Sequence, residues 1–488
     1  MLQITKRTIH CGRKAATVAS TSRLVSNRAQ QKEKEEGSIA SVFASLSGDK
    51  PVELPQRFSD LKKDIFKEHL VESWRDVLTK LKPEVEEVSA VGSAAIPRLS
   101  YHQIKTGVDE DSLRRLKKVG SVVVEGGVSE EEALGWKQSI RDYAAANRDK
   151  VKGFPADDVQ VFEFYHSVAQ TQARCHPALR DTQEFLLDLL HASDPQSEIS
   201  LGSIMSYYDR LRIRKPGDSQ FALGPHIDGG SLERWEDPGY RACWKHILNG
   251  DYTQHDPFDV SPRLDAQFDL YGAAGGCSVY RPFQGWTSMS RVGPHEGTLR
   301  VLPIDLKLAT AYIILRPFFA PKRGPQHLDF DDWMLDLEST HFPGSSQGRT
   351  QELNAVTHPH LQLDKTMVSA PDLSPGDQVY WHSDVVHAVE AEHRGKSDSS
   401  VLYIPAIPLT VNNAHYLQDQ RDRMNQGLPP RDFPGGDGES RFVGRMNPED
   451  VEAGPSRQLL GLEPFPIPPG ASPGAKRTVK KANEILFD

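Results

Sequence analysis

The sequence predicts a mainly β core of barrel or double-sheet jelly-roll type with flanking helices. Between about residues 201 and 425, short runs of strand-forming residues alternate with Gly and Pro turn signals. Ahead of that region, apolar residues recur at three- and four-residue steps, the period of a helix with one buried face. Beyond it, Pro and Gly dominate and regular structure gives way to a surface wrap.

The elements follow in chain order. No acidic residue precedes Glu33, whereas Lys6, Arg7, Arg13, Lys14, Arg23, Arg28 and Lys32 are all basic. Residues 1–32 therefore read as a mitochondrial leader or a disordered basic tail, and 33–57 as a polar linker. Phe58, Leu61, Ile65, Phe66, Leu70, Trp74, Val77 and Leu81 predict one amphipathic helix over 58–81, opening an N-terminal helical entry region that runs to residue 200. Helical charge runs from Asp109 to Lys118. SVVVE at 121–125 is a short strand, and Ser129 with Glu132 forms a capping box that starts a helix to about Ala145. Residues 177–192 read as a further helix. In the core, Leu211 and Ile213 alternate with Arg210, Arg212 and Arg214. Strands are predicted at 286–291, 298–303, 310–316, 377–382 and 399–405, with an insertion at 231–285 and the wrap at 426–488.

Composition narrows the function. Of 488 residues, 38% are hydrophobic and 26% charged, enough apolar material for a large core. The net charge of −9, with both signs mixed, argues against nucleic-acid binding, which needs a basic face. No apolar run approaches the roughly 18 residues of a membrane span. The four cysteines, Cys11, Cys175, Cys243 and Cys277, form no C-x-x-C pair, which points away from disulfides and structural zinc. A small-molecule substrate is the natural ligand; oligomeric state is not encoded in any visible pattern.

Metal chemistry is suggested by histidine placement. Two His and one carboxylate on one face are the usual way to hold a divalent metal with open positions. H-x-D on one strand supplies two such ligands, because residues i and i+2 share a side. About one such match is expected by chance given average aspartate usage. Three occur: His226/Asp228, His327/Asp329 and His382/Asp384. His327/Asp329 sits in an acidic loop. His226/Asp228 lies at a strand end beside Gly229 and Gly230, which permit a sharp exit and close approach. The stretch WHSDVVHAVE also contains His387, and a purely local triad of His382, Asp384 and His387 would need residues of opposite strand faces to converge. Splitting it at a bend lets His387 start a new strand and face His226 and Asp228.

Residues 376–388, GDQVYWHSDVVHA, resemble the distal-histidine segment of phytanoyl-CoA-hydroxylase-like Fe(II)/2-oxoglutarate dioxygenases, nearest an uncharacterised bacterial and fungal branch. RKPG at 214–217 before His226, GTLRVLPI at 297–304 and GSVVVEGGVSEEEALGW agree with that family's pattern. The resemblance implies a double-stranded β-helix (cupin-like) core and His226, Asp228 and His387 as iron ligands. It also implies 2-oxoglutarate and O₂ as cosubstrates, and hydroxylation of a small molecule with release of succinate and CO₂. One position departs from the family. A basic residue is expected on the strand after the distal His, and Ser399 stands there. Arg300 is then the first candidate to anchor the cosubstrate carboxylate and Arg394 the second, with Arg212 and Arg291 behind them. Trp235 and Trp244 in the insertion are lid candidates. Two alternatives stay open: a cupin-type metalloenzyme using His358 and His360 without 2-oxoglutarate, and a non-catalytic jelly-roll binding protein.

Overall fold

The computed structural model describes residues 43–47, 53–220, 222–273 and 276–488. The expected leader at 1–32 lies outside these residues. The chain is a mixed helix-and-sheet protein rather than a mainly β one.

The expected helix over 58–81 is two helices, Arg57–Ile65 and Leu70–Val91, with Phe66 extended between them. The second buries Trp74, Val77, Leu81, Val85 and Val88. Trp74 stacks on Phe319 with centroids 4.7 Å apart and on Tyr312 at 5.3 Å. Tyr312 belongs to the helix Leu306–Leu315, which replaces the strand expected at 310–316. Its residues are apolar all round and every one but Lys307 is buried, so no amphipathic period marks it. Asp305 caps it by accepting from the Leu308 amide at 3.1 Å. Ser129 caps Glu130–Ala146, its hydroxyl accepting from the Glu132 amide, but only this half of the expected capping box forms, because the Glu132 carboxylate lies 3.3 Å from His176 instead.

Two large sheets frame the interior. The eight-stranded sheet runs, in spatial order, Arg98–Ser100, Ser121–Glu125, Gln378–His382, Phe283–Ser288, Ser399–Tyr403, Leu211–Arg214, Val161–Phe162 and Gly153–Phe154. Its first pair is parallel and the rest are antiparallel. The five-stranded sheet runs Gln351–Glu352, His226–Ile227, His387–Val389, Leu299–Val301 and Val368–Ser369, all antiparallel. A cavity of about 260 Å³ is lined from both sheets.

Alternation along Leu211–Arg214 separates two environments. Leu211 and Ile213 join an apolar cluster with Trp136 and Phe164. Arg212 and Arg214 point the other way, and both bond to Asp218. The wrap after residue 426 ends in the helix Pro473–Phe487, which packs on the helix Val411–Gln426 and on Ile199–Ile204. Among the described residues, no helix is long and apolar enough to cross a membrane.

Candidate metal centre

His226 opens the short strand His226–Ile227, and Asp228 follows at its end. Gly229 and Gly230 then turn the chain with φ of 82° and 78°. A Cβ on Gly230 would meet the Phe268 carbonyl oxygen at 2.4 Å, so the turn needs glycine for space as well as for conformation. His387 opens its own strand after the bend at 383–386 and pairs directly across from His226. The two imidazole centroids are 4.1 Å apart.

Both rings are oriented by the backbone. Nδ1 of His226 lies 2.7 Å from the Gly224 carbonyl, and Nδ1 of His387 lies 3.1 Å from that of Val385. A carbonyl only accepts, so each Nδ1 carries a proton, and Nε2 is the ring nitrogen left for a metal. Burial pushes the His387 imidazole down to about 3, which keeps it neutral. Nε2 of His226 is 3.6 Å from one Asp228 oxygen, and Nε2 of His387 is 3.9 Å from the other. Burial raises the Asp228 carboxyl, but His387, His226 and Arg281 outweigh it and hold it below its ordinary value. Arg281 reaches that carboxylate at 3.3 Å.

These three residues form the one cluster of potential metal ligands found among the described residues, with ligand atoms within 4.8 Å of one another. Two imidazoles and a carboxylate, all facing a cavity, are a donor set that suits a divalent iron or similar ion. The oriented Nδ1–H groups are the outer-shell bonds such ligands ordinarily make.

The other sequence candidates separate cleanly. Ser399 lines the cavity, and so does Arg212. Arg300 does not. Leu299 faces the cavity, so the next residue on the strand faces away. There Arg300 donates to the Met367 carbonyl at 2.6 and 3.2 Å. Arg394 is 69% exposed in its side chain and pairs with Glu392, also away from the cavity. Arg291 is exposed and pairs with Glu130. Trp235 and Trp244 are buried anchors rather than lid residues. Trp235 donates to the Ile314 carbonyl at 3.0 Å and packs on Phe342. Trp244 packs between Tyr240 and His255. The insertion instead turns Phe268, Cys277 and Arg281 to the cavity.

His382 is held between Phe258 and Phe283, and its Nδ1 accepts from the Asp384 amide at 3.2 Å. Both ring nitrogens of His360 are engaged, by the Tyr312 hydroxyl at 3.1 Å and the Leu328 carbonyl at 3.0 Å, which leaves no lone pair for a metal. Sequence reasoning passed over Arg281 and Phe43. Nothing in their neighbours' spacing marks either, since both reach the site through tertiary packing.

The comparisons with known proteins agree with one another. Residues 52–462 match the Gig2-like family. YbiU of Escherichia coli K12 is 34% identical over 400 residues, which cover 80% of this chain and 90% of YbiU. The crystal structure of the Candida albicans GlcNAc Inducible Gene 2 product superposes with a TM-score of 0.80 at 30% identity, covering 90% of this chain and 96% of that one. The chain belongs to the Gig2-like family.

Proposed function

We propose that this protein is a non-haem iron oxygenase that uses 2-oxoglutarate and O₂ to hydroxylate a small molecule. The observation that carries this reading is the His226–Asp228–His387 cluster, with both Nδ1–H groups committed to backbone carbonyls and both Nε2 atoms turned to the cavity. On this reading, the two large sheets supply the two faces of a double-stranded β-helix, and His226, Asp228 and His387 would hold Fe(II). Once bound, the iron would supply the O₂ activation that couples conversion of 2-oxoglutarate to succinate and CO₂ with oxidation of a C–H bond.

The chain's own part is positioning and water exclusion. Arg212 is the best-placed partner for the far carboxylate of 2-oxoglutarate. It lines the cavity, lies opposite Val401 on the strand neighbouring Ser399–Tyr403, and is only 4% exposed. Burial pushes its guanidinium down to about 10, still fully charged at neutral pH. The basic residue missing at Ser399 is thereby replaced from the adjacent strand of the same sheet, and Ser399 is left to donate a hydroxyl. Asp218, 3.3 Å from Arg212, holds the side chain in place. Trp381 packs on His387 with centroids 5.2 Å apart and covers that side of the cluster.

The test is succinate formation by the iron-loaded protein from 2-oxoglutarate, screened against a metabolite panel for compounds that accelerate it. Turnover no greater than that of Asp228→Ala across the panel would overturn the oxygenase reading and favour a binding protein.

A further inference from the structure

Residues 43–47 precede the Gig2-like match, which begins at residue 52, and the chemistry above makes no use of them. They nonetheless lie on the metal-facing cavity. Phe43 is 4% exposed and lines that cavity. Its ring meets the His226 imidazole at 88°, with centroids 4.8 Å apart. Ala44–Ser47 forms a single helical turn behind it. Ser45 is fastened by two bonds to one carboxylate: its backbone N–H donates to Glu352 at 3.1 Å, and its hydroxyl donates to the same group. Glu352 is the cross-strand partner of His226, on the edge strand of the five-stranded sheet.

One short segment thus sets an aromatic ring against a candidate ligand and ties itself to that ligand's neighbour. A lone helical turn has almost no stability of its own. This one is held in place by what it touches, so it can lift away while the core stays folded. Phe43 also occupies cavity space directly beside the His226 ring.

We propose that residues 43–47 are a strap that closes the cavity, with Phe43 the wall residue that limits substrate size and excludes water beside His226. The water-excluding role rests on the reading of His226 as a metal ligand. The strap itself rests on the contacts alone.

The experiment compares the full-length protein with its Phe43→Ala and Ser45→Ala variants by hydrogen–deuterium exchange. Amides at 223–228 and 350–354 should exchange at least threefold faster in both variants, with those at 378–382 unchanged. Co(II), used as the metal probe, should bind all three proteins with the same affinity within threefold. Substrate-free succinate formation from 2-oxoglutarate should rise at least threefold in Phe43→Ala. Unchanged exchange in both variants would overturn the strap. Faster exchange with no succinate from any of the three proteins, either alone or across the metabolite panel, would support the strap and overturn the oxygenase reading. Faster exchange with unaltered succinate formation, where the parent protein does turn over, would overturn the water-excluding role of Phe43.

Discussion

Arg263 grips Asp384 with both terminal nitrogens, one of them 3.1 Å from its oxygen, in a pair whose side chains are 4% and 7% exposed. The pair joins the insertion to the bend that aims His387 at His226. Burial raises the Asp384 carboxyl, but Arg263 and His382 outweigh it and hold it well below the usual carboxylate range. Asp384 is therefore committed to an ion pair and not to a metal. Removing one partner strands a buried charge, which typically costs about 3–5 kcal/mol. Arg263→Ala and Asp384→Ala should each lose stability on that scale in urea unfolding. A loss below about 1 kcal/mol, the scale of an exposed pair, would show that the pair is not the clamp described.

Metal binding should follow the cluster and not the nearer motif. His226→Ala, Asp228→Ala and His387→Ala should each weaken Co(II) or Fe(II) binding by at least about a hundredfold, since each removes one of three ligands. His382→Ala should leave it within a few-fold. Calorimetric titration distinguishes these outcomes, and iron loss in His382→Ala with retention in His226→Ala would restore the local triad.

Arg212→Leu should raise the KM for 2-oxoglutarate at least tenfold, the loss of about 1.4 kcal/mol or more expected for a charge-assisted pair. Metal affinity should be spared. Arg300→Leu and Arg394→Leu should leave KM unchanged, because neither side chain lines the cavity. An unchanged KM in Arg212→Leu would reassign the anchor.

Acid should unfold the protein well above the carboxylate range. Burial pushes His166, His255 and His360 down to about 3 and His382 to about 4 from an ordinary 6.5. Each is neutral in the fold and binds a proton more readily when unfolded. The stability they contribute is fully present above pH 6.5 and is lost as pH falls toward 3–4. Between pH 6.5 and about 5, each should cost about 2 kcal/mol. Glu439, pushed up to about 7 by burial, works in the opposite direction: its contribution is present below about 4.5 and is lost as pH rises through 7. Urea midpoints across pH 4.5–8 test this. His382→Phe should remove about 2 kcal/mol of the acid loss, and an identical pH slope in that variant would exclude His382 as a contributor.

How much was legible depended on whether the signal was local. The H-x-D at His226 and Asp228 was readable because glycines flank it and strand alternation puts both residues on one side. His387 was separable from His382 because a five-residue step changes face. Arg300 was misplaced because alternation says that neighbours diverge without saying which of them faces in; Leu299 does. The helix Leu306–Leu315 reads in part as a strand because a segment buried all round loses the 3.6-residue period. Trp235 and Trp244 could equally have been lids or anchors, since both roles select large aromatics. Phe43 was invisible, a single ring whose importance comes wholly from what it packs against.

His226 and His387 are neighbours across one pair of strands, yet far apart in the chain. An ion held by both would therefore act as a rivet as well as a reagent, tying the N-terminal half of the core to its C-terminal half at one point. Any ion that binds only the folded state shifts unfolding by mass action, by about 2.7 kcal/mol at a hundred times its dissociation constant. If that ion is the iron proposed above, the melting temperature of the protein should report on its iron content, and the iron-poor protein should be the easier to unfold.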